Sequence, residues 1–355
     1  MLPLEKLISS FRDAQSKLVV QTADLPLATL AQMVESSAID LQPGFQRRER
    51  WSTDKQSALI ESFLLNVPVP PVYLAEELSG TYTAIDGKQR LRAISDFIFG
   101  RLTLRNLERL TEAQGLKFDE LPSEITNSFK LRPYLRVVTL LKQTDPMLKY
   151  EVFLRLNRGG EALNAQEIRN VAFRGPLNDQ IYQLSENAFL RQQLKIDGNK
   201  SAAYREMNDA EYVLRFLTLF ERITTFSGSL VKEMDEYMRR HQLDSGQEVD
   251  NLAAMFNQAV ARCQAIWGEF AFRRPEGHGW RDQTLAGMYD AQMIAASQVT
   301  QQVANKAAAN QGDALGRTRA LFDVAEFDKS VRTGTNTPAR IRYRVGRMKE
   351  LLEAI

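Results

Sequence analysis

The stretch YTAIDGKQRLRAISDFIFG, Tyr82 to Gly100, reads as an apolar strand, a tight Asp86-Gly87 turn and then a helix. Its first helical turn holds Lys88, Gln89 and Arg90. A helix N-terminus carries roughly half a positive charge, so two cations there demand a counter-charge. One reading lets Asp86 cap the helix and neutralise its neighbours, as Asp-Gly turns commonly do. The other makes the turn an anion site, with backbone N–H groups, Lys88 and Arg90 surrounding a phosphate. Asp86 would then hold a Mg2+ ion or orient a water beside the phosphates.

Working outward, the flanking patterns alternate strand with helix as far as about Ala172. "LVVQ" precedes a helix-like "LATLAQMVES", and "VPVPPVYLAEE" is extended but too rich in proline for a fully hydrogen-bonded central strand. Ser79-Gly80 suggests a hairpin into "TYTAID". In "WSTDKQSALIESFLLN", Thr53 and Gln56 have capping-box spacing, and Leu59, Ile60, Phe63 and Leu64 mark one apolar face. "YLRVVTLL" is a further strand, and "DPMLKYEVFLRLN" a helix broken at Gly159-Gly160. "LNAQEIRNVAF" restarts a helix, with Asn164 as cap and Glu167 at its third position. Beyond Gly175 helical periodicity takes over in "MNDAEYVLRFLTLFERI", "GQEVDNLAAMFNQAVARCQAIWGEF" and "LAGMYDAQMIAASQVTQQVA". The expected architecture is α+β: an α/β domain over 1–172, then an all-helical domain over 173–355.

Composition narrows the function classes. With 46 Lys+Arg against 44 Asp+Glu the net charge is +2, which argues against a wholly basic nucleic-acid coat protein and leaves room for a local basic patch. The single cysteine, Cys263, excludes an intrachain disulfide and a thiolate zinc knuckle, and its helical context predicts a buried core thiol. His241 and His278 fall in separate segments. No apolar run approaches the ~20 residues of a membrane span, and "MLPLEKLISSFRDAQ" lacks the features of a secretory signal, so a cytoplasmic protein is expected. No Gly-rich P-loop is present, so any nucleotide site is of another kind.

Three further features could carry chemistry. "LQPGFQRRERW", Leu41–Trp51, is either a solvated basic loop or a phosphate-contacting one, in which Arg47 offers a planar fork and Gln46 an amide. "FLRLNRGGEALNAQEIRN" is a helix–loop–helix whose glycines need no ligand, but it crowds Asn157, Arg158, Glu167 and Asn170 around one tight loop. The tail "TPARIRYRVGRMKELLEAI" starts well as a helix, with Thr337 as cap and Pro338 in the first position. It carries an apolar stripe of Ile341, Val345, Met348, Leu352 and Ile355 beside a basic one of Arg340, Arg344 and Arg347. A solvated surface helix is the favoured reading of that stripe, and a contact surface for nucleic-acid phosphates is the alternative.

Three motifs stand in order: Pro43-x-Phe45-Gln46-Arg47, Asp86-Gly87-Lys88-Gln89-Arg90, and Leu156-Asn157-Arg158-Gly159-Gly160 followed by Leu163 and Glu167. Together they resemble the N-terminal domain family of GmrSD-type modification-dependent restriction systems, related to ParB and sulfiredoxin-like folds. The resemblance spans about Leu25 to Ala172 and continues weakly over Arg205–Leu217. It implies an NTP-binding and NTP-hydrolysing sensor or regulatory subunit in bacterial anti-phage defence. Asp86, Gln89 and Arg90 would carry the chemistry, and Asp86 the Mg2+. Gln46, Arg47, Gly87, Lys88, Asn157, Arg158 and Gly160 would hold the nucleotide.

Lys88 stands where that family usually has glutamine, and Arg158 where a small polar residue is commoner. Relatives often end in an HNH-type nuclease, which this chain lacks the clustered histidines and His-x-x-Pro pattern to form. Any cutting would then fall to a partner effector protein. The competing expectation is a non-enzymatic DNA-binding or adaptor module that controls a partner nuclease or toxin. Arg47–Arg50 and the final arginine stripe motivate it, and a homo-oligomer is left open.

Overall fold

The computed structural model describes residues 3–41, 51–156, 164–198 and 201–355. The chain divides into two compact units, Met1–Ala172 and Phe173–Ile355. The first runs α1 (Pro3–Lys17), β1 (Val20–Pro26), α2 (Leu27–Glu35), β2 (Ile39–Asp40), α3 (Thr53–Leu64), β3 (Val72–Glu76) and β4 (Tyr82–Asp86). It continues with α4 (Lys88–Ile98), α5 (Ser123–Leu131), β5 (Tyr134–Leu140), α6 (Pro146–Leu156) and α7 (Ala165–Ala172).

The five strands make one mixed sheet in the order β1-β5-β3-β4-β2. β1 pairs antiparallel with β5 and β3 with β4, whereas β3–β5 and β2–β4 are parallel. The proline-rich segment corrects an expectation. All three prolines precede Val72, so β3 starts where every residue can donate a backbone hydrogen bond, and it becomes the central strand. The Ser79-Gly80 turn does join β3 to β4, with Gly80 in the left-handed region at φ 82°. Between β3 and β4, Tyr73 faces Asp86 but Leu74 faces Ala84, which leaves Ile85 as an extra residue just before Asp86. Such a bulge bends the strand and re-aims the residue that follows.

α2 and α4 pack together, and α4 sends Leu91, Ile94 and Phe97 into the core with Leu27, Leu30, Ile60 and Leu74. Burying a side chain the size of Phe97 stabilises by about 2–3 kcal/mol. The Phe97 ring meets Phe118 and Phe129 edge-on, each at 5.3 Å between centroids. α3 is capped one residue earlier than its sequence suggests. The Ser52 hydroxyl, not Thr53, accepts the Lys55 N–H, and the Gln56 amide instead donates to the Trp51 carbonyl at 2.9 Å. α3 also carries the buried Glu61, whose carboxylate accepts the N–H groups of Glu108, Arg109 and Leu110 at 3.1, 2.7 and 2.8 Å. Burial pushes this carboxyl up, but the three N–H bonds more than offset it and hold the group below its ordinary value.

The second unit contains α8 (Pro176–Ser185), α9 (Ala188–Gln193), α10 (Ala202–Arg205), α11 (Asn208–Arg222), α12 (Leu230–His241) and α13 (Gly246–Trp267). These are followed by α14 (Ala286–Gln298), α15 (Gln301–Ala309), α16 (Gln311–Leu321), α17 (Ala325–Arg332) and α18 (Pro338–Glu353). Cys263 is fully buried, and burial drives its thiol well above its ordinary value. The periodic stretch from Leu285 to Ala304 forms two helices, because Thr300 caps α15 through the Val303 N–H at 3.3 Å. The unit is also not wholly helical. Pro275–Glu276 pairs with Gly279–Trp280, and Arg319 braces this ribbon by donating to the carbonyls of Gly277, His278 and Gly279.

α18 corrects the reading of its arginines. Arg344 is buried, donating to Asp290 and to the Ser330 carbonyl at 2.8 Å. Arg340 donates to the Thr333 carbonyl and Arg347 pairs with Glu350. Arg344 is therefore not part of a solvated or phosphate-binding face, whereas Arg340 and Arg347 stay partly exposed. Packing of α18 against α14 brings Arg344 to Asp290, and this overrides helical spacing. Among the described residues no helix is long and apolar enough to cross a membrane.

Candidate functional site

The β4–α4 junction is built on a glycine that nothing else can replace. Gly87 is the N-cap of α4 at φ 90°, and a Cβ there would lie 2.4 Å from Val72 Cγ1 on the central strand. The left-handed conformation and the close approach both require the missing side chain. With Gly87 at the cap, no side chain caps the helix.

Asp86 instead binds its neighbours. One carboxylate oxygen accepts the Gly87 N–H at 2.7 Å, and the other accepts Arg90 Nη2 at 2.8 Å. Arg90 also donates from Nη2 to the Pro71 carbonyl at 3.2 Å, so its guanidinium is locked against the start of β3. Its buried Nε has no acceptor among the described residues. Half of the opening puzzle is thereby settled within the chain: Arg90 takes its counter-charge from Asp86, one turn away.

Lys88 is different. It is half-buried, and its ammonium is pushed down to about 8. Burial is the largest cause and the nearby Arg92 guanidinium adds to it, while Asp40 and Glu167 act in the opposite direction. Asp40 ends β2, which β4 holds in parallel register through Ile39–Tyr82 and Asp40–Thr83. Glu167 is buried on α7 and forms the anticipated reciprocal cap with Asn164. Its N–H meets Asn164 Oδ1 at 2.9 Å, and its carboxylate takes the Asn164 N–H at 2.7 Å.

Gln89 reaches another part of the chain, accepting the Trp51 N–H through its side-chain oxygen at 3.3 Å. The junction thus brings together the two flanks of segment 42–50, at Asp40 and Trp51, and the start of α7. The site residues Gln46, Arg47, Asn157, Arg158 and Gly160 lie outside the described residues. α7 is unusually polar for a buried helix, since Gln166, Glu167, Arg169 and Asn170 are all buried on it. Gln166 donates to Asn170 Oδ1 at 3.2 Å and accepts from Arg169 at 3.4 Å.

Asp40 and Arg92 also line a cavity of about 770 Å3 with Ser37, Thr81, Asp96 and Arg101. Sequence reasoning missed both residues. Arg92 could have been found as the next turn of α4 on the Lys88 face, whereas Asp40 depends on the β2–β4 pairing. Arg101 in this cavity is already neutralised, bidentate to Glu35 at 3.1 and 2.9 Å and bonded to Asp96 at 3.0 Å.

A metal ion has one candidate ligand here, Asp86, whose side chain is 41% exposed and whose two oxygens already accept hydrogen bonds. No group of three or more His, Cys, Asp or Glu among the described residues is arranged to hold a metal. Asp86 therefore suits Mg2+ only in the manner where phosphate oxygens and water supply the remaining ligands.

No curated protein and no solved structure matches the chain. Residues 30–174 match the family described as GmrSD restriction endonuclease, N-terminal domain. The match covers both flanks of the junction, β3, β4, α4, β5, α6 and α7, and it points to a role in a restriction system. Over residues 30–174, less than half of its length, the chain is thus similar to the GmrSD restriction endonuclease N-terminal domain family.

Proposed function

We propose that this domain binds a nucleoside triphosphate at the β4–α4 junction and hydrolyses it, as the sensing or regulatory part of a restriction system. The observation that carries the reading is Lys88: a half-buried ammonium at an uncapped helix N-terminus, with a second cation, Arg92, acting against it. A helix N-terminus disfavours cations and burial penalises charge; Asp40 and Glu167 offset part of this cost, and a bound anion would offset more. A triphosphate offsets both costs, with α4 N–H groups and Lys88 on its oxygens.

In this reading Asp86 orients the attacking water, and Arg90 fixes the carboxylate that does so. Gln89 ties α4 to Trp51, and Gln46, Arg47, Asn157, Arg158 and Gly160 are assigned to the nucleotide on the strength of the motifs alone. Mg2+ held by Asp86 and the phosphates would neutralise charge on the phosphate oxygens. Catalysis then comes from positioning and electrostatics. The mixed sheet with α4 behind β4 is the part of the fold that a ParB/sulfiredoxin-like arrangement would share. In this reading DNA cutting falls to a partner effector.

The DNA-binding or adaptor alternative keeps Arg340 and Arg347 of its arginine stripe but not Arg344, which is buried. Titration calorimetry with each NTP and Mg2+, followed by a phosphate-release assay, tests the proposal. Binding that weakens in Lys88→Ala and turnover that vanishes in Asp86→Ala are expected. Absence of binding by every NTP sinks it.

A further inference from the structure

The short ribbon of the helical unit sets two arginines against each other. The pairing of Pro275 with Trp280 and of Glu276 with Gly279 continues one step further, where the Arg281 N–H donates to the Arg274 carbonyl at 2.9 Å. Residues directly opposite each other on a ribbon share a face, and like charges placed so are destabilising. The following pair shows the ordinary solution, with Arg273 against Asp282 at 3.0 Å. Arg274 and Arg281 instead both line a cavity of about 410 Å3, to which Arg332 at the end of α17 adds a third guanidinium. No carboxylate lines this cavity; Glu276 reaches Arg274 only at 3.4 Å, and Asp328 holds Arg332. The Arg281 guanidinium has no hydrogen-bond or ion-pair partner among the described residues.

We propose that this cavity binds the phosphate group of a small phosphorylated molecule, a phosphomonoester of nucleotide size. A guanidinium is a planar fork that matches phosphate oxygens, and a dianion between Arg274 and Arg281 turns their repulsion into two attractions. Gln283 and Thr335 offer the rest of such a ligand neutral hydrogen-bonding groups, and Leu285 and Val331 an apolar wall. The first turn of α14 borders the same space at Ala286 and Gly287, with no acidic residue and no side-chain cap. Its N–H groups add to a field that the arginines already set. The volume lies in the range of small-molecule sites. A nucleic-acid strand is the poorer occupant, because its successive phosphates need a run of available cations. Around this cavity the neighbouring arginines are engaged: Arg273 by Asp282, Arg319 by the ribbon carbonyls and Arg340 by the Thr333 carbonyl. All of these residues belong to the second unit, so the cavity can fill whether or not the β4–α4 junction takes a nucleotide.

Amide chemical shifts of the full chain test this, with inorganic phosphate and adenosine monophosphate each titrated into a Lys88→Ala background that weakens any binding at the junction. The Gly287 amide signal is expected to shift saturably with both. Arg281→Ala should weaken both about tenfold or more, and Arg281→Glu should abolish the response. Each variant should keep the melting temperature of its background, since the Arg281 side chain holds nothing in the folded chain. Absence of a saturable shift at Gly287 with both probes overturns the proposal, as does an affinity that Arg281→Ala leaves unchanged. An equal response to sodium chloride at matched ionic strength also overturns it, and so does a response to inorganic phosphate without one to adenosine monophosphate. A melting temperature that falls in Arg281→Ala would make this guanidinium part of the fold and sink the idea. A single-stranded oligonucleotide that outcompetes adenosine monophosphate at Gly287 would hand the cavity to nucleic acid instead.

Discussion

Two Asp–Arg clusters, one in each unit, use the same chemistry to opposite ends. In the helical unit Asp290 is fully buried between Arg215 and Arg344. It receives Arg215 Nε at 2.5 Å and Nη2 at 2.6 Å, together with a bond from Arg344. Asn336 accepts a further bond from Arg215 and the Ser330 carbonyl one from Arg344, while the buried Arg344 Nε has no acceptor among the described residues. This cluster ties α11, α14 and α18 together, and its three charged members are buried. At the β4–α4 junction the Asp86–Arg90 pair is only partly buried, and Lys88 is held beside it in a half-buried position. The first cluster is closed and structural. The second keeps a carboxylate within reach of solvent, as a site for a ligand must.

The sharpest way to break the comparison is Asp290→Asn. It leaves two buried guanidiniums without their counter-charge and should destabilise the protein by about 3–5 kcal/mol, seen as a lower midpoint in denaturant. Gly87→Ala comes next, costing about 2–3 kcal/mol through the left-handed backbone and the clash with Val72. Its melting temperature should fall even with no ligand present.

Asp86→Ala removes a partly exposed pair and should cost less than about 1 kcal/mol, yet abolish nucleotide turnover. A large loss of stability there would make the junction structural like its counterpart. The smallest effect concerns pH. Because the folded Lys88 ammonium sits near 8, below its ordinary value, its cost to folding is fully present below that pH and relieved between about 8 and 10.5. A bound phosphate favours the protonated form. Nucleotide affinity should therefore be level below pH about 8 and fall as pH rises through it, and Lys88→Gln should flatten the profile in calorimetry.

What was legible in advance was local. The strand–turn–helix at Tyr82–Gly100, the α3 face of Ile60 and Phe63, and the Asn164–Glu167 cap all follow from spacing within a few residues, where backbone sterics and hydrogen-bond geometry decide. Even there a cap slid from Thr53 to Ser52, since either hydroxyl could serve and only the packed helix start chose between them. α7 reads as an ordinary amphipathic helix, and nothing in its own residues says that four polar side chains will be buried.

By itself, the sequence determined the strand–turn–helix at the junction, the helices α2, α3, α6, α7, α11, α13, α14 and α18, and that cations would crowd the start of α4. Only the tertiary structure decided that β3 is central, that Arg90 is spent on Asp86 and Pro71, that Asp40 and Glu167 share the field of Lys88, and that Arg344 is buried. Periodicity reports which face of an element is apolar. Which partner meets that face depends on contacts between residues far apart in the chain, and those also set the burial and the charge around each ionisable group.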